Sequence, residues 1–472
     1  MKTTMFRNIT LAAAIVLAVS ACGGGTGGTG SGDSGGSGSS GVSYGTVTDF
    51  GSIIVNGAHI DDSSPSISVT LDDNPGAGTH GGLKKGMVVR VSGNFSGNTG
   101  TATSIEFRDN VEGPVCNQPS TSNGITTLRV LGQTVIVDAT TIVENGPINQ
   151  NNFVEVSGLP DDQERIIASF IEGKTQQTAV IEVKGRIDAV NATTFTINNL
   201  VVNYVPGVID NSIPGSQLAV GQFVEVKGTV FACNSPVAGT DTLTATRVEL
   251  ERQGAGAIPG GNRAEIEGFI TVVNAGGFMI GNQQVATTGN TRFLPEDFSA
   301  ANLVVGAKVE AEGTFANGVL TAAKISFRQN VKLESRVATV SSSSFTLVGL
   351  PGITISTNST TDFNGVTVAP NVQLRVRGIE GPNNSVLALR IDDRGNSTDV
   401  FVQGAVDTVS NPNITVLGVA VDTTPIFQFE DVNDIGIPRA TFFGSVQRGT
   451  LVKIKGRLSG NAVVWEEAEF ED

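Results

Sequence analysis

The chain has 472 residues and a formal charge of −15, with 59 glycines, 17 prolines, one tryptophan and two histidines. It is too long for a single core, and no Lys/Arg cluster supplies the basic footprint of a nucleic-acid binder, so several modules are expected and nucleic acid is excluded as a partner. Frequent Gly, Thr, Val and Asn suit short strands joined by tight turns, and no long run of helical period follows the first twenty residues, which makes the expected fold class all-β.

Residues 1–21 carry two cations, Lys2 and Arg7, then an apolar stretch from Ile9 to Val19 and small residues before Cys22. The stretch is about half the roughly 20 residues a membrane-spanning helix needs, and it reads as an export signal. Val19-Ser20-Ala21-Cys22 resembles the lipobox of bacterial lipoproteins, which implies lipidation at Cys22. Residues 22–41 read as a Gly/Ser/Thr tether, because from Gly23 to Gly41 no apolar side chain is available to pack.

From there one pattern recurs six times. KGMVVRVSGNF, NNFVEVSGLP, VGQFVEVKGTV, VGAKVEAEGTF, NVQLRVRGIE and RGTLVKIKGRL align on Gly93, Gly158, Gly228, Gly313, Gly378 and Gly456. The intervals, 65 to 85 residues, exceed the 20–50 of solenoid repeats and imply small modules, each with a core of its own. An opening strand carries Gly45, Gly113, Gly185, Gly268 or Gly404, with Ser335 in the fifth copy; a hairpin of the SIIVNG type follows. The glycine-marked strand alternates apolar residues inward with charges outward, as in Val224 and Val226 against Glu225 and Lys227. A last strand holds Ala102, Ala168, Ala245, Ala322, Ala388 or, in the sixth copy, Trp465.

A glycine in such a strand marks a bulge or a close backbone approach that lets the sheet curl. Five curled strands per repeat predict a tandem array of six small OB-like five-stranded β-barrels, small β-sandwiches being the alternative. The predicted modules are 42–109, 110–174, 180–252, 264–329, 330–394 and 399–472, with a flexible linker at 253–263. That linker divides the array three plus three, and a straight row of six barrels would approach about 170 Å.

The ordered set of these motifs, over nearly all of Val42 to Asp472, resembles a repeat of bacterial lipoproteins classed as a domain of unknown function, family 5666. The resemblance implies an exported, β-rich, OB-like module and carries over no catalytic residues.

Few residues invite chemistry. His59 and His80 lack any HxH or CxxC context and read as surface histidines, so no metal is expected. Cys116 and Cys233 lie in similar turn-rich segments of the second and third modules; a disulfide stapling those neighbours and two separate buried thiols are both open readings. Asp61-Asp62, Asp72-Asp73, Asp161-Asp162 and Asp392-Asp393 read as solvated loop acids, calcium clipped between modules being the alternative, although none matches an EF-hand spacing. No P-loop, nucleophile elbow or dinucleotide fingerprint lies outside the tether. No catalytic residue, cofactor or enzymatic activity is therefore expected. The chain reads as a cell-envelope lipoprotein held to a bacterial membrane by the lipid on Cys22, on the periplasmic side of the outer membrane or the cell surface. It would act as scaffold, spacer or adhesive surface for another macromolecule; the alternative is an oligosaccharide- or peptide-binding lipoprotein using one or two barrels.

Overall fold

The computed structural model describes residues 39–471 except 65, 73, 78, 123–124, 139, 176–180, 235–240, 252–261, 295–297, 329–330, 359–360, 382–384, 432–434 and 449. The leader, Cys22, most of the tether and most of the 253–263 linker lie outside the described residues.

Period-two patterning shapes each module. In Val88–Ser96, Val89 and Val91 are buried while Arg90 and Ser92 are partly exposed, so one face of a curled strand can close on itself. In the first module the opening strand Ser39–Asp49 pairs with the hairpin strand Ile53–Val55, which pairs with Ala58–Asp61. That strand runs parallel to the closing strand Thr99–Phe107, which returns antiparallel to the glycine strand Val88–Ser96 and so to the opening strand. The ring is closed, which removes most of the sheet's open edges and leaves part of the opening strand free to pair outward. The same order recurs in the next four modules, through the parallel pairs Val135↔Ile166, Val202↔Leu243, Val285↔Leu320 and Ile355↔Val386. A second short segment, such as Ser68–Leu71 or Ile142–Glu144, lies parallel to the closing strand farther along.

The sixth module departs from this order. Among the described residues no ladder joins its hairpin strand Val419–Asp422 to its closing strand Ala462–Phe470; only Gln428–Glu430 runs parallel to the latter. A helix, Arg439–Ser445, packs its buried Phe442 into this module. The buried Trp465 stands where the other five closing strands carry alanine.

The modules are joined more intimately than separate beads, which corrects the expectation of a private core for each. Opening strands pair edge to edge, producing three continuous sheets of 13, 13 and 11 strands. The second and third modules meet antiparallel at Val111↔Val183, and the fifth and sixth at Leu333↔Val402. The first pairs parallel with the fourth, at Val42↔Ala264 and Tyr44↔Ile266. Apolar clusters follow these seams: one spans modules two and three, another five and six. Phe170 of the second module enters the first module's core, and Val42 and Leu389 enter the fourth's. With each fully buried Leu, Phe or Val side chain worth roughly 1.5–3 kcal/mol, a few such crossings suffice to dock modules.

The array is not parted three plus three at 253–263, because module one sits beside module four within one compact unit. Two boundaries also move. Ser39 to Gly41, at the end of the predicted tether, already belong to a strand, paired with Phe95 to Gly93. Arg263, at the end of the predicted linker, pairs with Gly41.

Candidate functional site

Each of the six marked glycines stands at a register shift, opposite a closing strand that holds one extra residue. Gly93 faces Ala102, Gly158 Ala168, Gly228 Ala245, Gly313 Ala322, Gly378 Ala388 and Gly456 Trp465. At all six a Cβ would sit closer than 3.0 Å to a carbonyl oxygen of the partner strand, so the backbones approach as only glycine permits. Three of the extra residues, Thr103, Ser169 and Thr246, donate their hydroxyls back to the carbonyls of Ser92, Ser157 and Lys227. Thr141, Thr291 and Thr361 donate to the carbonyls of Ala168, Ala322 and Ala388, at 2.7, 2.7 and 2.8 Å. These glycines are scaffold.

The outward-facing charges are where electrostatics concentrate, and they correct the expectation that they face water. Glu225 is buried, as are Glu182, Lys184, Glu265, Glu310 and Glu334, because neighbouring modules cover those strand faces. In the third module Glu182 stands opposite Lys227 and Lys184 opposite Glu225, a complementary cross-strand arrangement. Lys184 Nζ lies 2.7 Å from Glu182 and 3.4 Å from Asp72 of the first module, and bonds Asp109 between modules one and two. Burial alone would lower the pKa of this ammonium, but Asp109, Asp72, Glu182 and Glu225 prevail and hold it well above the ordinary lysine range. Burial raises Asp109 well above the usual carboxylate range and Asp72 to about 6. The first and third modules thus meet on one lysine.

The parallel seam is built differently. Glu265 stands opposite Glu312 and Glu267 opposite Glu310, so acids face acids. Arg263 and Lys324 each lie 2.8 Å from Glu312, Lys308 lies 2.8 Å from Glu267, and Arg328 bonds Glu310. Burial, then the Glu310 carboxylate, pushes Glu265 up to about 8, while Ser43 donates to it at 3.2 Å. A third acidic group, Glu430, Glu467 and Glu469, has Lys453 on Glu469 and Lys455 3.7 Å from Glu467. Among the described residues, each acidic group able to gather around a cation therefore already contains a side-chain cation, and the arrangement joins strands.

Cys116 and Cys233 are joined by a disulfide in the structure, linking modules two and three with an S–S distance of 2.02 Å. Beside it Asp241, fully buried, accepts from Arg129 Nε at 2.7 Å, Gly132 N at 3.0 Å and Asn234 N at 2.9 Å. His59 is exposed, whereas His80 stacks on Phe50 and lies 2.6 Å from Asp62. The loop-acid expectation is corrected at four of its eight positions, while Asp61, Asp162 and Asp393 are exposed as expected. Besides Asp62 and Asp72, Asp161 is buried and bonds Arg165, and Asp392 bonds Arg377 and Arg390; Asp73 lies outside the described residues. Sequence reading missed Lys184, Asp109, Arg129, Asp241 and Tyr44. Only the opposed EVKG stretches around Lys184 and Lys227 held a signal, complementary charge across two strands expected to pair.

A comparison with curated proteins finds no match. A family described as a domain of unknown function, DUF5666, matches residues 44–106, 112–172, 184–249, 267–326, 334–392 and 403–465. These six intervals coincide with the six barrels and cover most of the sequence, so the chain belongs to the DUF5666 family.

Proposed function

We propose that the chain is a non-enzymatic lipoprotein of the bacterial cell envelope, anchored through a lipid on Cys22, whose barrels form a scaffold or adhesive surface for another macromolecule. What supports this reading is the order of parts: an apolar leader, small residues before Cys22, a glycine/serine run, then a strand beginning at Ser39. Among the described residues no helix is long and apolar enough to cross a membrane. Several acyl chains, at about 0.8 kcal/mol per buried CH₂, hold a protein that one chain would release. The test is metabolic labelling with radioactive palmitate in a bacterial host. Label is expected in the wild-type chain and absent from Cys22→Ser, which should leave the membrane fraction; equal membrane retention of both would refute the anchor.

A second reading, oligosaccharide or peptide binding by one module, draws on the open sixth barrel. There Phe427 is 77% exposed and Ile435 59% exposed.

A further inference from the structure

A half-enclosed cavity of about 190 Å³ lies where three modules meet, and no single barrel contains it. Ile266 and Phe269 come from the fourth module's opening strand and Ile280 from its hairpin. Leu159 and Pro160 come from the end of the second module's glycine strand, and Tyr44 from the first module's opening strand. Tyr44 is brought there by the parallel seam, which sets it beside Ile266.

Asn282 and Gln283, the latter donating to the Gln284 and Gly318 carbonyls, stand at the rim of this apolar wall, and Glu267 and Tyr44 face it. The Glu267 carboxylate is already engaged: Lys308 lies 2.8 Å from Oε1 and the Thr46 amide donates to Oε2 at 2.8 Å. Burial works against its charge, yet Lys308 and Arg328 hold its pKa at about 2. The Tyr44 hydroxyl has no hydrogen-bond partner among the described residues. Burial, then the charge of Glu267, pushes its pKa up to about 12, so it keeps its proton and can donate.

Charge and size narrow the ligand. An anion would face Glu267, and a cation would find that carboxylate already paired, so a neutral molecule fits. A dry apolar cavity of about 150 Å³ accommodates benzene, and this slightly larger one suits a six-membered ring with one small substituent. We propose that the junction binds a neutral single-ring carbonyl compound, its ring against Ile266, Phe269, Ile280 and Leu159 and its oxygen accepting from the Tyr44 hydroxyl. This site is independent of the envelope role proposed above, and its failure would leave that role standing.

The test uses the full chain and three probes of one ring size: cyclohexanone, cyclohexylammonium and cyclohexanecarboxylate. Saturation-transfer NMR should show saturable binding of the ketone alone, with transfer from the ring protons to Ile266 and Ile280 methyls. One neutral hydrogen bond is worth about 0.5–1.5 kcal/mol, so Tyr44→Phe, with an unchanged melting midpoint, should weaken ketone binding by about 2- to 13-fold. The ketone failing to bind, all three rings binding alike, or a folded Tyr44→Phe binding as well as wild type would each overturn the proposal. Should Tyr44→Phe not fold, the wild-type methyl contacts and the discrimination by charge decide it.

Discussion

Gly313 and Gly444 show how one residue type carries opposite meanings. A Cβ at Gly313 would run into the Thr321 carbonyl across the register shift, whereas one at Gly444, in the helix Arg439–Ser445, meets nothing within 4 Å. Gly313→Ala should therefore destabilise the protein by about 2–4 kcal/mol, because strands held by ladder bonds cannot yield without breaking them. Gly444→Ala should add about 0.5–1 kcal/mol, the ordinary gain of alanine over glycine inside a helix. Urea unfolding of the two variants checks both signs, and a mild Gly313→Ala would mean the bulge relaxes. Such glycines were legible in the sequence because steric exclusion leaves one admissible residue, repeated at one offset. Thr141, Thr291 and Thr361, which bond the facing alanine carbonyls, left no comparable mark, since threonine fills many strand and loop positions here for other reasons.

Strands of the third module raise the question of what a charged strand face is for. Asp109, Glu182 and Glu225 surround Lys184 with less than a tenth of any of the four exposed, so removing the cation leaves buried carboxylates uncompensated. Lys184→Met should lower stability by about 3–5 kcal/mol. Asp109→Asn should be far milder, under about 1 kcal/mol. The reason is that the amide keeps an oxygen toward Lys184 and a donor toward Glu182, while Glu182, Asp72 and Glu225 still face the cation. Equal losses in the two variants, measured by urea titration at pH 7, would show that the junction depends on the Asp109 charge as much as on the cation. The alternation of Val and Glu predicted these strands and their inward faces correctly. It could not reveal that the outward faces are covered, because the covering strands arrive from other modules, and a period of two is silent about partners beyond the sheet.

At the scale of the whole molecule, the six repeats and the closed curled strands of the first five were legible, whereas the opening of the sixth and the pairing of the first module with the fourth were not. That seam rests on Val42 beside Ala264 and Tyr44 beside Ile266, ordinary strand residues with no motif to announce them. The docking of modules gathers carboxylates into low-dielectric seams, and this sets the response to pH. Glu265 is raised to about 8 by burial and Glu310, and Glu380 of the fifth module to about 7 by burial, then Asp138 of the second and Asp407 of the sixth. For an acid with a raised folded pKa, the folded state holds more protons than the unfolded chain between about pH 4.5 and that pKa, so stability falls as pH rises through this interval. Glu267, held at about 2, works the other way: its contribution is present above about pH 4.5 and is lost as pH falls toward 2. The two opposed sets place greatest stability near pH 5, with the melting midpoint declining on both sides. Glu265→Gln should flatten the alkaline side specifically, because glutamine needs no proton to sit in the seam, while leaving the acid limb in place. A melting midpoint that instead climbs from pH 5 to pH 8 in the wild type would mean the seams open to water and ionise freely.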